Sequence, residues 1–183
     1  GLTDIDPGMV FTVIGIILAA VFVAMVISIL LSIFIWNPLE VGCQKFFINC
    51  KYGNAELGDI AYGFKNGYAH IGMIMFLRGL FTGLWMLLFI IPGIVKSYEY
   101  MMIPYLLAEH PEMTRQEAFA ESKQMMDGNK WDAFVLDLSF IGWTLLGVCT
   151  FGILLVFYVE PYIYLTRAEL YHALKNNNKS VEF

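Results

Sequence analysis

Met9 to Trp36 is an unbroken run of 28 residues without Asp, Glu, Lys, Arg or His, and it limits the chain's options more than any other feature. At ~1.5 Å per residue a helix of this length exceeds the ~30 Å hydrocarbon core of a bilayer, so it suits a tilted or overhanging membrane span. A soluble core could not hide it together with the remaining apolar residues. Of 183 residues, 58% are hydrophobic and 15% charged, and the mean hydropathy is +0.65. The composition is that of an integral membrane protein, and the fold class expected is all-α, a polytopic transmembrane helical bundle.

The formal net charge of -5 and the lack of a basic stripe argue against a nucleic-acid partner. Cys43, Cys50 and Cys149 are odd in number and stand near none of His70, His110 and His172 at ligand spacing. They are expected to be free thiols, with no disulfide framework, no metal site and no cofactor. The chain begins at Gly1, so a preceding segment is expected; Gly1 to Gly8 has no Lys or Arg and cannot serve as the basic start of a signal peptide.

Pro disfavours helix in the residue before it, so the first span is expected to end at Asn37-Pro38, with Trp36 at the interface. Two short amphipathic segments follow. Leu39, Cys43, Phe46, Phe47 and Cys50 form one apolar stripe, and Leu57, Ile60, Ala61 and Phe64 a second. Gly53-Asn54 and Asn66-Gly67 punctuate them, and both are expected to lie along the membrane surface. Tyr68 to Ile91 is a second span, interrupted by Arg78 and broken at Pro92-Gly93. Ile94 to Glu109 reads as a third, polar span, and Trp131 to Leu154 and Leu155 to Leu174 as a closing pair.

Five visible spans place residues 37–69, residues 110–130 and the C-terminus on one side. That side then holds Lys45, Lys51, Lys65, Arg115, Lys123, Lys130, Lys175 and Lys179, with Arg167 near the end of its span. The positive-inside rule assigns it to the cytoplasm. Thr114-Arg115-Gln116-Glu117 is a capping box opening a helix with Ala118, Phe119, Ser122, Met125 and Met126 on one face, and Gly128 is its expected stop. Met125 to Trp143 then carries the chain from water back into lipid, with Trp131 at the boundary.

The order of elements recurs. Asp59 to Glu109 runs from an amphipathic helix through Asn66-Gly67-Tyr68, a span, a break and a second span with Pro104-Tyr105. Glu117 to Glu169 does the same through Gly128-Asn129-Lys130-Trp131 and Pro161-Tyr162. A single transmembrane domain over 1–183, with weak hairpin repeats at about 55–109 and 114–175, follows; Asn37-Pro38-Leu39 would close an earlier unit, giving six spans in the intact protein.

The run Leu88-Phe89-Ile90-Ile91-Pro92-Gly93-Ile94-Val95-Lys96, then Pro104-Tyr105-Leu106-Leu107-Ala108-Glu109, then Gly128-Asn129-Lys130-Trp131 and Asp137-Leu138-Ser139-Phe140-Ile141-Gly142-Trp143, resembles a family of bacterial multi-pass membrane proteins catalogued only as a domain of unknown function. Asn37-Pro38-Leu39 with Val41-Gly42 and Phe46-Phe47 adds to the likeness, which covers most of the chain. It implies a six-span bacterial plasma-membrane protein and no assigned activity. Asp132 stands where that family usually has a basic residue.

Arg78, Lys96, Glu99, Asp137 and Glu160 fall within the expected spans and form the candidate intramembrane polar site. Each charge costs ~2.5–3.5 kcal/mol at mid-membrane even on the lower scales, so each should face the bundle, water or a partner. Arg78 is expected to pair with Asp137, and Lys96 with Glu99, while Pro161 beside Glu160 frees a backbone carbonyl. Gly79 with Gly83, and Ala20 with Ala24, read as close helix-packing faces. Trp36, Tyr68 and Trp131 read as interface anchors, and Pro92, Gly93, Pro104 and Pro161 as helix breaks.

No catalytic motif is present: neither a nucleophile elbow, a His-Glu-x-x-His zinc helix nor a phosphate-binding loop. Two functions fit. One is a non-catalytic membrane module that assembles with or regulates a membrane-protein partner or a second copy of itself. The other is a secondary transporter or efflux-type protein for a small or amphiphilic solute, using the intramembrane charges.

Overall fold

In the computed structural model, residues 7–150 and 152–181 are described, and no strand occurs among them. Helix α1 (Pro7–Leu31) passes through a π-helical turn (Ser32–Trp36) into α2 (Asn37–Lys51). A 3₁₀ turn (Leu57–Ala61) and the short α3 (Tyr62–Lys65) lead to α4 (Tyr68–Leu88), α5 (Ile90–Glu99) and α6 (Ile103–Glu109). Helices α7 (Arg115–Met125), α8 (Lys130–Ser139) and α9 (Ile141–Cys149) precede a second π turn (Leu155–Val159) and α10 (Glu160–Val181).

Among the described residues three helices are long and apolar enough to cross a membrane: Gly8–Lys51, Tyr68–Leu88 and Lys130–Cys149. Five crossings are expected from sequence, and the two returning arms, Ile94–Glu109 and Leu155–Leu174, do not form single long apolar helices. Between Ile94 and Glu109 the chain breaks at Tyr100–Met102, one turn before Pro104, whose ring would clash with the Tyr100 carbonyl of a continuous helix. That carbonyl accepts the Ile103 N–H instead. Past the break, Ile103 to Ala108 is wholly buried. The expected span Leu155–Leu174 likewise enters the packed core, where Ala168, Tyr171 and Leu174 are buried.

The first helix does not stop at Asn37-Pro38. It runs as one 44-residue rod, because Pro38 falls directly after the π turn, in the first turn of α2. The Phe34 carbonyl, one turn before Pro38, accepts the Tyr68 hydroxyl at 2.7 Å. Consequently residues 37–51 are not a separate surface helix, and their buried face is Asn37, Val41, Gln44 and Ile48, while Leu39, Cys43 and Phe47 are half-buried. Leu57 and Phe64 point outward rather than into the bundle.

Helix α2 is the axis of the packed region, and α6, α10 and the 3₁₀–α3 segment pack on it. Two glycines permit the closest approaches. A Cβ on Gly42 would lie 1.9 Å from the Ile60 carbonyl oxygen, and one on Gly63 2.2 Å from that of Pro38. Helix α4 crosses at Gly72, beside Ile33 and Asn37, and then runs on beside α2, with Arg78 meeting Glu40. None of the most apolar window of the first helix is buried, and Ala20 and Ala24 are exposed rather than packed.

Helices α4 and α5 form an antiparallel hairpin whose turn is Phe89, in extended backbone, and not Pro92-Gly93. Pro92 sits in the first turn of α5, where its missing N–H has no helical partner to lose. Gly93 lies at the close contact of the two arms, its would-be Cβ 2.6 Å from the Met86 Cα. The second hairpin pairs α8–α9 with the second π turn and α10, Gly147 against Leu155 and Phe140 against Tyr162. Pro161 does not break it; the helix widens into the π turn just before that residue. Its turn uses Gly152 at φ 81°.

Local signals around α7 hold. Thr114 Oγ1 accepts the Glu117 N–H, Glu117 accepts the Thr114 N–H at 2.8 Å, and Ala118, Ser122 and Met125 are buried. Gly128 and Gly67 adopt left-handed backbone at φ 78° and 69°.

Candidate functional site

The structure re-pairs the charges expected in the spans. Arg78 does not reach Asp137: its Nη1 donates to Glu40 Oε1 at 2.9 Å. Continuity of the helix through Pro38 sets Glu40 on the wall that faces α4. Asp137 receives Arg167 Nη2 at 2.9 Å on one oxygen and the Tyr98 hydroxyl at 3.0 Å on the other. Three helices, α5, α8 and α10, are tied at that carboxylate.

Lys96 and Glu99 do pair, at 2.7 Å, and Lys130 closes on the second Glu99 oxygen at 3.1 Å. The Glu99 side chain is only 5% exposed, while its two cations, Lys96 at 25% and Lys130 at 28%, reach the surface. Ser122 on α7 donates to the Glu99 carbonyl at 2.8 Å, fixing the end of α5. Glu109 accepts the Tyr171 hydroxyl at 2.6 Å and also binds Lys175, and Lys51 meets Glu169 at 2.5 Å. Glu160 is exposed on α10, within electrostatic reach of Tyr164.

Sequence reasoning missed Glu40, Tyr98, Lys130 and Arg167 as members of these pairs. Lys130 and Arg167 were visible as boundary cations. Their spacing carries no signal, since each partner comes from a different helix.

Two grooves open beside the pairs. The larger, ≈ 430 Å³, lies between α2, α4 and α5, with Asn37, Glu40, Arg78, Thr82 and Ser97 as polar lining and Met75 and Met86 as apolar wall. Its floor is Gly79 and Gly83, where an added Cβ would meet nothing within 4 Å. These glycines therefore face an open groove and not a tightly packed helix. The smaller groove, ≈ 340 Å³, is lined by Asp137, Phe140, Thr144, Leu145 and Arg167.

Two buried polar atoms stand out near the pairs. Gln44 Oε1 and the Tyr105 hydroxyl have no hydrogen-bond partner among the described residues. Tyr105 is 2% exposed, stacks on Tyr171 at 5.5 Å, and its hydroxyl feels Arg167, Glu40 and Arg78. Among the expected interface anchors, Trp36 and Trp131 are exposed and Tyr68 is half-buried against Phe34 and Phe64. Cys43, Cys50 and Cys149 are unpaired. Among the described residues no group of three His, Cys, Asp or Glu side chains is placed to hold a metal.

No curated protein and no solved structure matches the chain. A family model described as a protein of unknown function, DUF975, matches residues 9–178. Since that match covers nearly the whole sequence, the chain belongs to the DUF975 family.

Proposed function

We propose that this chain is a non-catalytic integral membrane module that assembles with, or regulates, a partner in the bacterial plasma membrane. The observation that carries the reading is the first helix: the most apolar 18-residue window of Gly8–Lys51 is 0% buried on its own chain, although α2 is the axis of the bundle. Such a helix is satisfied by lipid or by another protein and offers its whole circumference to either. The charge arrangement agrees, because Arg78, Lys96, Glu99 and Asp137 each close on side chains of the same molecule.

In this reading the two shorter returning arms, α5–α6 and α10, also cross, which makes five crossings. An outgoing α4 must bring its chain back, and α5 does so antiparallel, as α10 does for α9. The Lys- and Arg-rich segments 37–69 and 110–130 and the C-terminus are placed in the cytoplasm by their charge. The Pro pairs Asn37-Pro38, Ile103-Pro104 and Glu160-Pro161 recur at matching places along the chain. Two of these follow π turns and one follows a broken turn.

The test replaces residues 9–31 by leucines of equal number. A stoichiometric partner that co-purifies with the native chain and is lost from this variant, with no solute flux in proteoliposomes, supports the module. Flux that disappears on neutralising Asp137 or Glu160 would overturn it in favour of a secondary transporter. The polar groove between α2, α4 and α5 is the feature that favours that second reading.

A further inference from the structure

Resting on the membrane reading, the geometry points to the groove between α2, α4 and α5 as a site for one zwitterionic phospholipid. The phosphate meets Arg78, the ammonium meets Glu40, and an acyl chain lies over Gly79 and Gly83.

The pair offers both charges side by side without exhausting either. Arg78 gives one N–H to Glu40 at 2.9 Å, and a guanidinium carries five donors in a rigid fork. Glu40 receives that bond on one oxygen, leaving the second for an ammonium group. The side chains are 24% and 39% exposed, so both remain reachable from the groove. A purely anionic head would meet the like charge of Glu40, and a purely cationic one that of Arg78. A head carrying both signs satisfies each at once. Thr82, one turn beyond Arg78, adds a hydroxyl on the same wall.

The glycine floor supplies the apolar half. No atom lies within 4 Å of a Cβ built on Gly79 or Gly83, and Met75 and Met86 flank the space with flexible thioethers. The volume, ≈ 430 Å³, falls in the range of small-molecule sites. The second groove has the same ingredients but a filled carboxylate: Tyr98 holds the Asp137 oxygen that Arg167 does not. Both Asp137 oxygens there already accept a hydrogen bond, whereas one Glu40 oxygen accepts none, which favours the first groove.

The experiment titrates the purified full chain in detergent with a short-chain phosphatidylethanolamine below its micelle concentration, read by native mass spectrometry. Phosphatidylglycerol of equal chain length and glycerophosphoethanolamine without chains are the comparison ligands. A single phosphatidylethanolamine is expected to bind about tenfold or more tightly than either: against phosphatidylglycerol by the worth of one hydrogen bond between charged groups, against the chainless headgroup by the burial of about two methylenes. Arg78→Gln and Glu40→Gln each weaken it by about tenfold. Gly83→Leu, whose side chain enters the open groove, weakens it equally while thermal stability is unchanged.

Equal binding of phosphatidylglycerol overturns the proposal, as does equal binding of the chainless headgroup. So does undiminished binding to the well-folded Gly83→Leu protein. Carbonate washing of native membranes separates this from the membrane reading. Release of the chain overturns that reading and leaves the titration standing, whereas a retained chain that binds no phosphatidylethanolamine removes only the lipid site.

Discussion

The Tyr68 hydroxyl donates to the Phe34 carbonyl at 2.7 Å, across 34 residues of sequence, at the point where Pro38 withholds the N–H that a regular helix would have offered. Tyr68→Phe is therefore expected to lower stability by about 1 kcal/mol, the net worth of one such bond. In a Pro38→Ala background, where a backbone N–H returns, the same change should be milder. A double-mutant cycle from unfolding in detergent measures the difference, and an unchanged effect of Tyr68→Phe would remove the proposed relationship.

Charge exchange distinguishes the two pairings of Arg78. Swapping Arg78 and Glu40 should restore most of the ~0.5–2 kcal/mol lost by either single reversal, a range set by partial exposure. Swapping Arg78 and Asp137 should restore nothing. Thermal denaturation of the four single and two double variants reads this out.

The stacked tyrosines predict opposite responses to loss of a hydroxyl. Tyr105→Phe removes a buried, unpartnered group and should leave the melting temperature unchanged or raise it. Tyr171→Phe removes a bond to the Glu109 carboxylate and should cost ~1.5–3 kcal/mol. A lower melting temperature for Tyr105→Phe would mean that its hydroxyl is partnered in solution.

Gly42→Ala and Gly63→Ala should destabilise by at least ~3 kcal/mol, because the methyl would meet backbone atoms that cannot turn away. Gly79→Ala meets open space and should be neutral or slightly stabilising through helix propensity. Comparable losses at all three positions would contradict the groove.

The α7 cap should be acid-sensitive. Hydrogen bonds from the Thr114 hydroxyl and N–H hold the Glu117 carboxyl below its usual range. The cap's contribution is thus fully present above the ordinary Glu value of ~4.3 and is lost as pH falls through the lower folded value. Amide protection at Arg115–Met125, with rates taken relative to the intrinsic exchange rate at each pH, should fall on acidification in the native chain. It should show no such step in Glu117→Gln.

Features set by neighbours in sequence were legible before the structure. The helical class, the capping box at Thr114, the turns at Gly67 and Gly128 and the Lys96–Glu99 pair each depend on residues within a few positions of one another. Misreadings came where a tertiary partner decides. Pro38 looks like a stop until Tyr68 satisfies the carbonyl behind it, and Gly79 and Gly83 look like packing residues until α2 and α5 leave a groove over them. Arg78 and Asp137 sit at similar depths on their helices, yet Glu40 and Arg167, carried by α2 and α10, arrive first.

The rod from Gly8 to Lys51 has a mechanical consequence. Beyond Gly72, α4 travels with α2, so α1 and the first hairpin depart from their crossing in different directions. A bilayer is a single flat slab, and both can lie within it only if the rod jackknifes. The π turn at Ser32–Trp36 is where it would fold, because the regular i→i+4 pattern is already interrupted there and Pro38 has no N–H to restore it. The Tyr68–Phe34 contact then acts as a latch on that joint. Spin labels at positions 16 and 88 should move closer together when the protein passes from detergent into bilayers, and a constant distance would mean that the rod stays rigid.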